Sequence, residues 1–526
     1  MQRNLNRLKN QTFDVLICGG GIYGAWTAYD AALLGLKVAI IDKGDWASGT
    51  SSASSKLIHG GLRYLETFDF TLVKKTLAER EMLLKAAPHR VWSLRFGIPV
   101  YESSRIGKLK LKIGLTLYDY LAGNLPAFQK HRRHSVTEFL EQFPFLSASS
   151  LTGGFSYLDA QTDDARFVLE LIDGACSAGA VCINYCELTQ LTKKNGIIDG
   201  AVLFDKTTNE SIKLASTVVV DTTGRWSNKL LNENRDFRLS KGIHLVMPGI
   251  LTDQALLLTA KADGRVFFMI PWYGRTLLGT TDTNYDGDID NLAITSEDVR
   301  YLLTEANHVL ATARWTEDDV IGKFAGVRVL PQSLLKNPSN ISRDWSLQIM
   351  PNGLIRSLGG KFTSAREDAA VIVDKVCECL SIHRSCLTFG ITLPWISDID
   401  FNVLSNESML EAKTLGIDDE SAAWLIKRHG KRVGQIFQLC RENRELIERV
   451  TPELPFILAD LVFCTRHEMV VHLDDLVRRR LPLTILAKLT VNDLTKIAAI
   501  AANILNWNSA KSTAEIEKCL LLYKAV

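Results

Sequence analysis

The sequence predicts an α/β fold in three parts: a parallel-sheet nucleotide-binding domain, an antiparallel-sheet domain interleaved with it, and a helical C-terminal domain. Three observations carry the prediction. A short strand over 13–18, apolar from Val15, enters Gly19-x-Gly21-x-x-Gly24, and an Ala-rich segment over 25–34 leads through Gly35 to the apolar run 38–41 and Asp42. Residues 181–220 alternate apolar and polar around the turn signals Asn195-Gly196 and Thr208-Asn209. Beyond Pro394-Trp395 the composition shifts to helical spacing with charges of both signs, which sets the last domain boundary at 395/396.

The opening is Rossmann-like in each of its parts. Gly19 permits the tight turn, Gly21 lets a pyrophosphate approach the backbone, and Gly24 lets helix and strand pack closely. Asp42 stands where it can accept hydrogen bonds from an adenosine ribose, a role that a merely structural turn would leave empty. NAD and FAD share this arrangement, so the opening alone does not choose between them. Residues 48–66 follow directly, rich in serine and glycine, and allow close approach to a phosphate or a flat ring; Arg63 and Tyr64 lie at the far end. Further along, helical spacing marks 71–86 (stopped by Pro88), 297–313 and 364–380. Short strands are expected at 218–221, running into Gly224, and at 244–247, 265–270, 276–280 and 355–359.

Composition removes several function classes. A chain of 526 residues is long enough for two or three domains and a large core. A net charge of +2 gives no electrostatic footprint for nucleic acid. Ten cysteines without a CxxC pair, and no visible secretory leader, point to reduced thiols in a cytoplasmic setting. No run of about 18 apolar residues is present to span a bilayer. His467-Glu468-x-x-x-His472 lacks the HExxH spacing, and neither a GxSxG elbow nor a Cys/His pair occurs, so no metal site is expected.

A set of motifs in order resembles one known family. They are Thr50-Ser-Ser-Ala-Ser-Ser-Lys-Leu-Ile-His-Gly-Gly-Leu-Arg-Tyr-Leu65, Asp163-Asp-Ala-Arg166, Thr222-Thr-Gly-Arg-Trp226, Lys241-Gly-Ile-His244, Gly279-Thr-Thr-Asp-Thr283, Gly326-Val-Arg328 and Gly359-Gly-Lys-Phe-Thr363. Over about 12–395 the chain is similar to the flavin-dependent glycerol-3-phosphate dehydrogenases and oxidases, within the D-amino-acid-oxidase-like flavoproteins. Its C-terminal part is similar to that family's helical cap.

The resemblance implies a discontinuous FAD-binding domain over about 12–100, 150–240 and 340–395, with a substrate domain over about 100–150 and 240–340. It implies non-covalent FAD, held by Gly19, Gly21, Gly24, Asp42, Thr50, Ser51, Ser52, Ser55, Lys56, His59, Gly60, Gly224, Gly360, Lys361, Phe362 and Thr363. The implied reaction is oxidation of sn-glycerol 3-phosphate to dihydroxyacetone phosphate by hydride transfer to FAD, with electrons passed to a membrane quinone. Three alternatives stay open: the oxidase version using O2 and giving hydrogen peroxide, an amine or 2-hydroxy-acid oxidoreductase, and a non-catalytic flavin-binding scaffold.

Within that reading His244 is the base for the hydroxyl proton, since histidine titrates near neutral pH. Arg328 competes with it for orienting or polarising that hydroxyl. The substrate phosphate calls for converging cations, and the resemblance supplies Arg63, Arg328 and Lys361, with Tyr64 as a neutral donor. Lys361 can instead serve the flavin ring. Trp26, Leu34, Ile243, Val329 and Ala365 depart from the family pattern.

Arg105–Tyr118 is basic and amphipathic. At helical spacing Ile106, Leu109, Ile113 and Leu117 share a face, with Arg105, Lys108 and Lys112 alongside. Such a helix can lie in a headgroup layer on the cytoplasmic face of the inner membrane, or it can pack on the core as an ordinary surface helix. Two basic clusters, 130–133 and Arg478-Arg479-Arg480, are candidates for anionic-lipid contact or for solvated faces. The oligomeric state stays open, a dimer included.

Overall fold

The computed structural model describes residues 1–231, 236–311, 314–331 and 345–524. Strand β1 (Thr12–Cys18), helix α1 (Ile22–Leu33) and strand β2 (Val38–Ile41) form the expected parallel unit, with Val15 opposite Val38 and Cys18 opposite Ile41. Both faces of β1 are covered from Val15 onward, which is why 15–18 read as a continuous apolar run. Val15 and Ile17 join the core beneath α1 and helix Ala365–Cys379, whereas Leu16 and Cys18 join the core under the 186–221 meander.

The first sheet runs in the order Ser346–Ile349, Ile355–Leu358, Glu210–Asp221, β1, β2, Val181–Ile183. Strand Glu210–Asp221 serves two structures. Its first half closes a hairpin with Ile197–Asp205, and its second half lies parallel to β1, bringing Asp221 beside Cys18. The hairpin turns fall at Asn195 and Asn209, whose φ values of 53° and 57° suit tight two-residue connections.

The second sheet has ten strands among the described residues and is mostly antiparallel. Its long ladder pairs Val91–Tyr101 with Leu151–Thr162. Alternation does not announce this pair, because Gly97, Pro99 and Gly153-Gly154 interrupt it and 96–100 are buried on both faces. Strand Phe237–Met247 begins seven residues before the expected 244 and lies between Arg275–Gly279 and Gly322–Pro331. One pairing is parallel, Ala255–Thr259 beside Val91–Tyr101.

Helix α2 (Phe70–Ala86) follows the 48–66 segment, and α3 (Lys108–Leu121) packs on it with Leu115 and Tyr118 buried. The middle of the apolar stripe expected here faces outward, with Leu109 and Ile113 73% and 61% exposed, whereas Leu117 is half-buried and Ile106, also half-buried, precedes the helix.

The C-terminal helices Phe401–Leu415, Asp419–His429, Val433–Glu442 and Leu458–His467 enclose a core around Ile436, Phe437 and Phe463. Leu454, Phe456, Leu473, Leu476 and Ile485 belong instead to a core shared with Phe96, Tyr157 and Trp272 of the second sheet. Ion pairs reinforce this junction. Glu468 bonds Arg166, and Arg479 and Arg480 both reach Asp45, with the Arg480 Nη2 to Asp45 Oδ1 distance 2.9 Å. The Arg478-Arg479-Arg480 run is therefore not a lipid contact. Arg479 and Arg480 are buried and neutralised, and Arg478 places its guanidinium 5.4 Å from the centre of the Phe324 ring.

Candidate active site

One cleft runs between the two sheets and has two chambers. The larger, about 540 Å³, is lined by Gly19, Gly21, Asp42, Thr50, Ser51 and Gly224. The smaller, about 240 Å³, is lined by Ser55, His59, Arg63, Tyr64, His244 and Thr363. Thr50, Ser54, Arg328, Val329, Gly360, Lys361 and Phe362 line both, so the chambers are continuous.

The larger chamber fits a dinucleotide. Helix α1 starts at Gly21 without a side-chain cap of its own, leaving its first amides directed at the chamber apart from Ile22 N–H, which Ser51 Oγ accepts at 2.9 Å. Asp42 accepts from the amides of Gly20 (2.6 Å) and Gly44 (2.8 Å), which fixes the loop. Burial raises the Asp42 carboxyl above its usual range, against those two bonds. A Cβ at Gly24 would collide with the Gly19 carbonyl, the close helix–strand approach that its place in the motif implies. Gly360, at φ +88°, leaves room where a Cβ would strike the Tyr23 hydroxyl. That hydroxyl accepts from Lys361 N–H (3.0 Å) and donates to Asp368 (2.6 Å), tying the loop before helix Ala365–Cys379 to α1.

At the far edge of this chamber lies a strap that sequence reasoning missed. Asp290 accepts from Lys43 Nζ (2.7 Å), Lys229 Nζ (2.6 Å) and the Trp226 indole N–H (2.6 Å), while Lys43 and Arg225 lie over the Trp226 ring. Arg225, Trp226 and Lys229 are neighbours in the chain, but Lys43 and Asp290 are distant from them and from each other, so no local pattern announces the strap.

Four residues expected at the cofactor stand behind the wall. Gly24 serves helix packing, and Gly60 is buried where a Cβ would strike Leu77 and sit 2.5 Å from the Tyr118 hydroxyl. Ser52 is buried and offers its carbonyl to Lys56 Nζ (2.9 Å). Lys56 itself turns inward to a buried ion pair with Asp164 (2.5 Å), away from any phosphate in the cleft.

The smaller chamber is organised by strand register. Across Phe237–Met247 and Gly322–Pro331, His244 pairs with Phe324, Gly242 with Gly326 and Ser240 with Arg328. Residues two apart share a face, so His244, Gly242, Gly326 and Arg328 present one surface with a slot between the imidazole and the guanidinium. Close packing here depends on both glycines. A Cβ at Gly242 would lie 2.5 Å from an Arg328 nitrogen, and one at Gly326 would lie 2.8 Å from the Ala53 carbonyl. Ile243 faces the other way, fully buried, and Ala365 is buried under α1, so neither departure from the family pattern reaches the cleft. Val329 does line it.

His244 Nε2 lies 2.9 Å from Ser55 Oγ, and its ring stacks on Phe324 with centroids 4.9 Å apart. Burial first, then Arg328 and Lys56, push the imidazole pKa well below its usual value, so the ring is neutral at pH 7. Arg328 bonds Thr280 Oγ1 (3.2 Å) and lies 3.5 Å from Asp282. Lys361 Nζ sits 3.5 Å from the centre of the Tyr64 ring, and His59 N–H donates to Thr363 Oγ1 at 3.1 Å. Five segments distant in sequence thus meet in one chamber.

Residues 14–341 match the family model described as FAD dependent oxidoreductase, and 400–512 match the C-terminal domain of alpha-glycerophosphate oxidase. The chain is 36% identical to a glycerol-3-phosphate dehydrogenase of Synechocystis sp., over 98% of this chain and 97% of that protein. It is 33% identical to an aerobic glycerol-3-phosphate dehydrogenase of Staphylococcus aureus, over 97% and 94% of the two. The X-ray structure of the glycerol-3-phosphate dehydrogenase from Bacillus halodurans, complexed with FAD, is similar at a TM-score of 0.82 and 28% identity, covering 99% of this chain and 96% of that one. Near-complete coverage by both domains, together with a dinucleotide chamber that opens into a cationic one, places the chain in the FAD-dependent glycerol-3-phosphate dehydrogenase family.

Proposed function

We propose that this protein oxidises sn-glycerol 3-phosphate to dihydroxyacetone phosphate, with non-covalent FAD as hydride acceptor and a membrane quinone as the next acceptor. The observation that carries the reading is the register that sets His244 and Arg328 on one face, in a chamber continuous with the dinucleotide chamber. Bound FAD supplies a flat oxidised ring able to take a hydride from carbon. Gly19, Gly21, Ser51 and Gly224 would hold its phosphates and adenosine half, with Gly360, Phe362 and Thr363 nearer the ring. Arg63, Arg328 and Lys361 line the smaller chamber and bind the substrate phosphate. Gly242 lets Arg328 and Thr280 close on its strand, and Gly326 lets the Ala53 carbonyl do the same, which seats the guanidinium in the chamber. The C2 hydroxyl proton passes through Ser55 Oγ to Nε2 of the neutral His244: Ser55 gives its own proton to the imidazole and takes the substrate's, so the C–H bond is broken as the alcohol loses its proton.

Anaerobic titration with glycerol 3-phosphate tests the reaction: the oxidised flavin absorbance should bleach with one equivalent. An unchanged spectrum overturns it, and bleaching by an amino acid or a 2-hydroxy acid instead would transfer the protein to that class. Reoxidation by a quinone analogue should outpace that by O2; rapid peroxide formation without quinone turnover would favour the oxidase.

A membrane quinone calls for contact with a bilayer surface. No helix among the described residues is long and apolar enough to cross one. The outward face of α3 supports an interfacial contact, since Leu109, Ile113 and Tyr120 are exposed beside Lys110 and Lys112. Binding to anionic vesicles should be lost in Leu109→Asp/Ile113→Asp, with flavin reduction unaltered.

A further inference from the structure

Lys56 is a buried cation that the cleft does not use. Its backbone is left-handed, with φ +60°, an uncommon state for a residue with a Cβ. One carboxylate holds the segment in that shape. Asp164 accepts from Ser54 N–H (3.1 Å), from Ser54 Oγ (2.7 Å) and from Lys56 Nζ (2.5 Å), and Ser54 Oγ accepts from Lys56 N–H (3.0 Å). Ser55 sits between these two pinned residues, and its hydroxyl touches His244 Nε2. The ion pair thus sets the residue that contacts the imidazole.

A second link runs through Phe324. The stacked imidazole occupies one face of its ring. Lys56 Nζ and the Arg478 guanidinium lie over the same ring, 5.1 and 5.4 Å from its centre. The charged groups around His244 come from every element packed near it. Arg328, with Asp282 behind it, belongs to the second sheet. Lys56 belongs to the loop, Asp163 and Asp164 to the adjoining helix, and Arg478 to the C-terminal domain with Asp474 and Tyr523 beyond it. The groups that act on the imidazole are cations, and Asp164 is engaged by Lys56.

We propose that Lys56, paired with Asp164 and backed by Arg478, is a positioning residue for the reaction: it holds Ser55 on His244 and disfavours a charged imidazole through the Phe324 ring. The inference rests on His244 being the base. It also makes the C-terminal domain a contributor to the chemistry, because Arg478 is supplied by that domain.

The test is the rate of flavin reduction by glycerol 3-phosphate in the holoenzyme, followed against pH in Lys56→Met, Lys56→Arg, Arg478→Met and His244→Asn. Removing a cation makes the imidazole easier to protonate, so the acid limb of the profile should move up by about one unit in Lys56→Met and by less in Arg478→Met. The maximal rate should fall in Lys56→Met with KM changed little, and Lys56→Arg should restore both limb and rate. A loss of rate and bound FAD at every pH with an unmoved limb would mean a structural role and overturn the proposal. If Lys56→Met does not fold, Arg478→Met decides alone, and an unmoved limb there overturns it. His244→Asn separates the two levels: an unaltered rate removes the base assignment itself, whereas a large loss with static limbs in the other variants removes only the inference.

Discussion

In the proposed function, recognition around the 540 Å³ chamber is built into the main chain, with Gly19, Gly21, Gly224 and Gly360 lining it. Around the 240 Å³ chamber it is built from side chains, with Arg63, His244, Arg328 and Lys361 brought together from four separate segments. The two ends should therefore fail in opposite ways. Backbone recognition is spoiled by adding atoms, whereas side-chain recognition is spoiled by removing charge or shape.

The sharpest separation is expected from His244→Asn. Loss of a general base should slow flavin reduction by about a thousandfold, while FAD stoichiometry, read from the absorbance ratio, stays unchanged. Arg328→Lys keeps the charge but removes the planar fork. Stopped-flow reduction should show kcat/KM lower by roughly thirtyfold, about 2 kcal/mol, mostly through weaker phosphate binding. Gly360→Ala tests the other end. A Cβ in a left-handed position, directed at the Tyr23 hydroxyl, should weaken FAD by about tenfold; fluorescence of released flavin measures it, and the enzyme resaturated with FAD should keep its KM. The smallest effect is expected from Asp290→Ala. Exposed ion pairs contribute little each, so loss of the strap should speed FAD release by about threefold and make the rate less sensitive to salt. If Asp290→Ala altered KM for glycerol 3-phosphate instead, the division between the two chambers would fail.

Legibility in the sequence follows the same division. The β1–α1–β2 unit, the Asn195 and Asn209 turns and most of the cofactor loop are local patterns, and they appear where the spacing put them, with ends displaced by a few residues. The Val91–Tyr101 and Leu151–Thr162 ladder was hidden, because glycine, proline and burial on both faces erased the alternation. His244 and Arg328 could be named from motifs, but the slot between them depends on a register between strands about eighty residues apart. Side-chain direction was the least legible property. Lys56 looks like a cofactor ligand and turns into the core, and Arg478-Arg479-Arg480 looks like a surface patch although Arg479 and Arg480 are buried. Phe324 carried no signal at all, since a phenyl ring in a strand is ordinarily core.

The pairing of Asp45 with Arg479 and Arg480 limits what can be done to the chain by deletion. A truncation after residue 395 would keep every glycine of the cofactor loop and still lose the two cations that hold Asp45 below its usual carboxylate range against burial. Leaving one buried charge uncompensated costs about 3–5 kcal/mol, a large share of a typical domain's net stability. The flavin half is thus not a portable module. Any chimera that exchanges the helical half must bring its own pair of cations to the turn that follows Asp42.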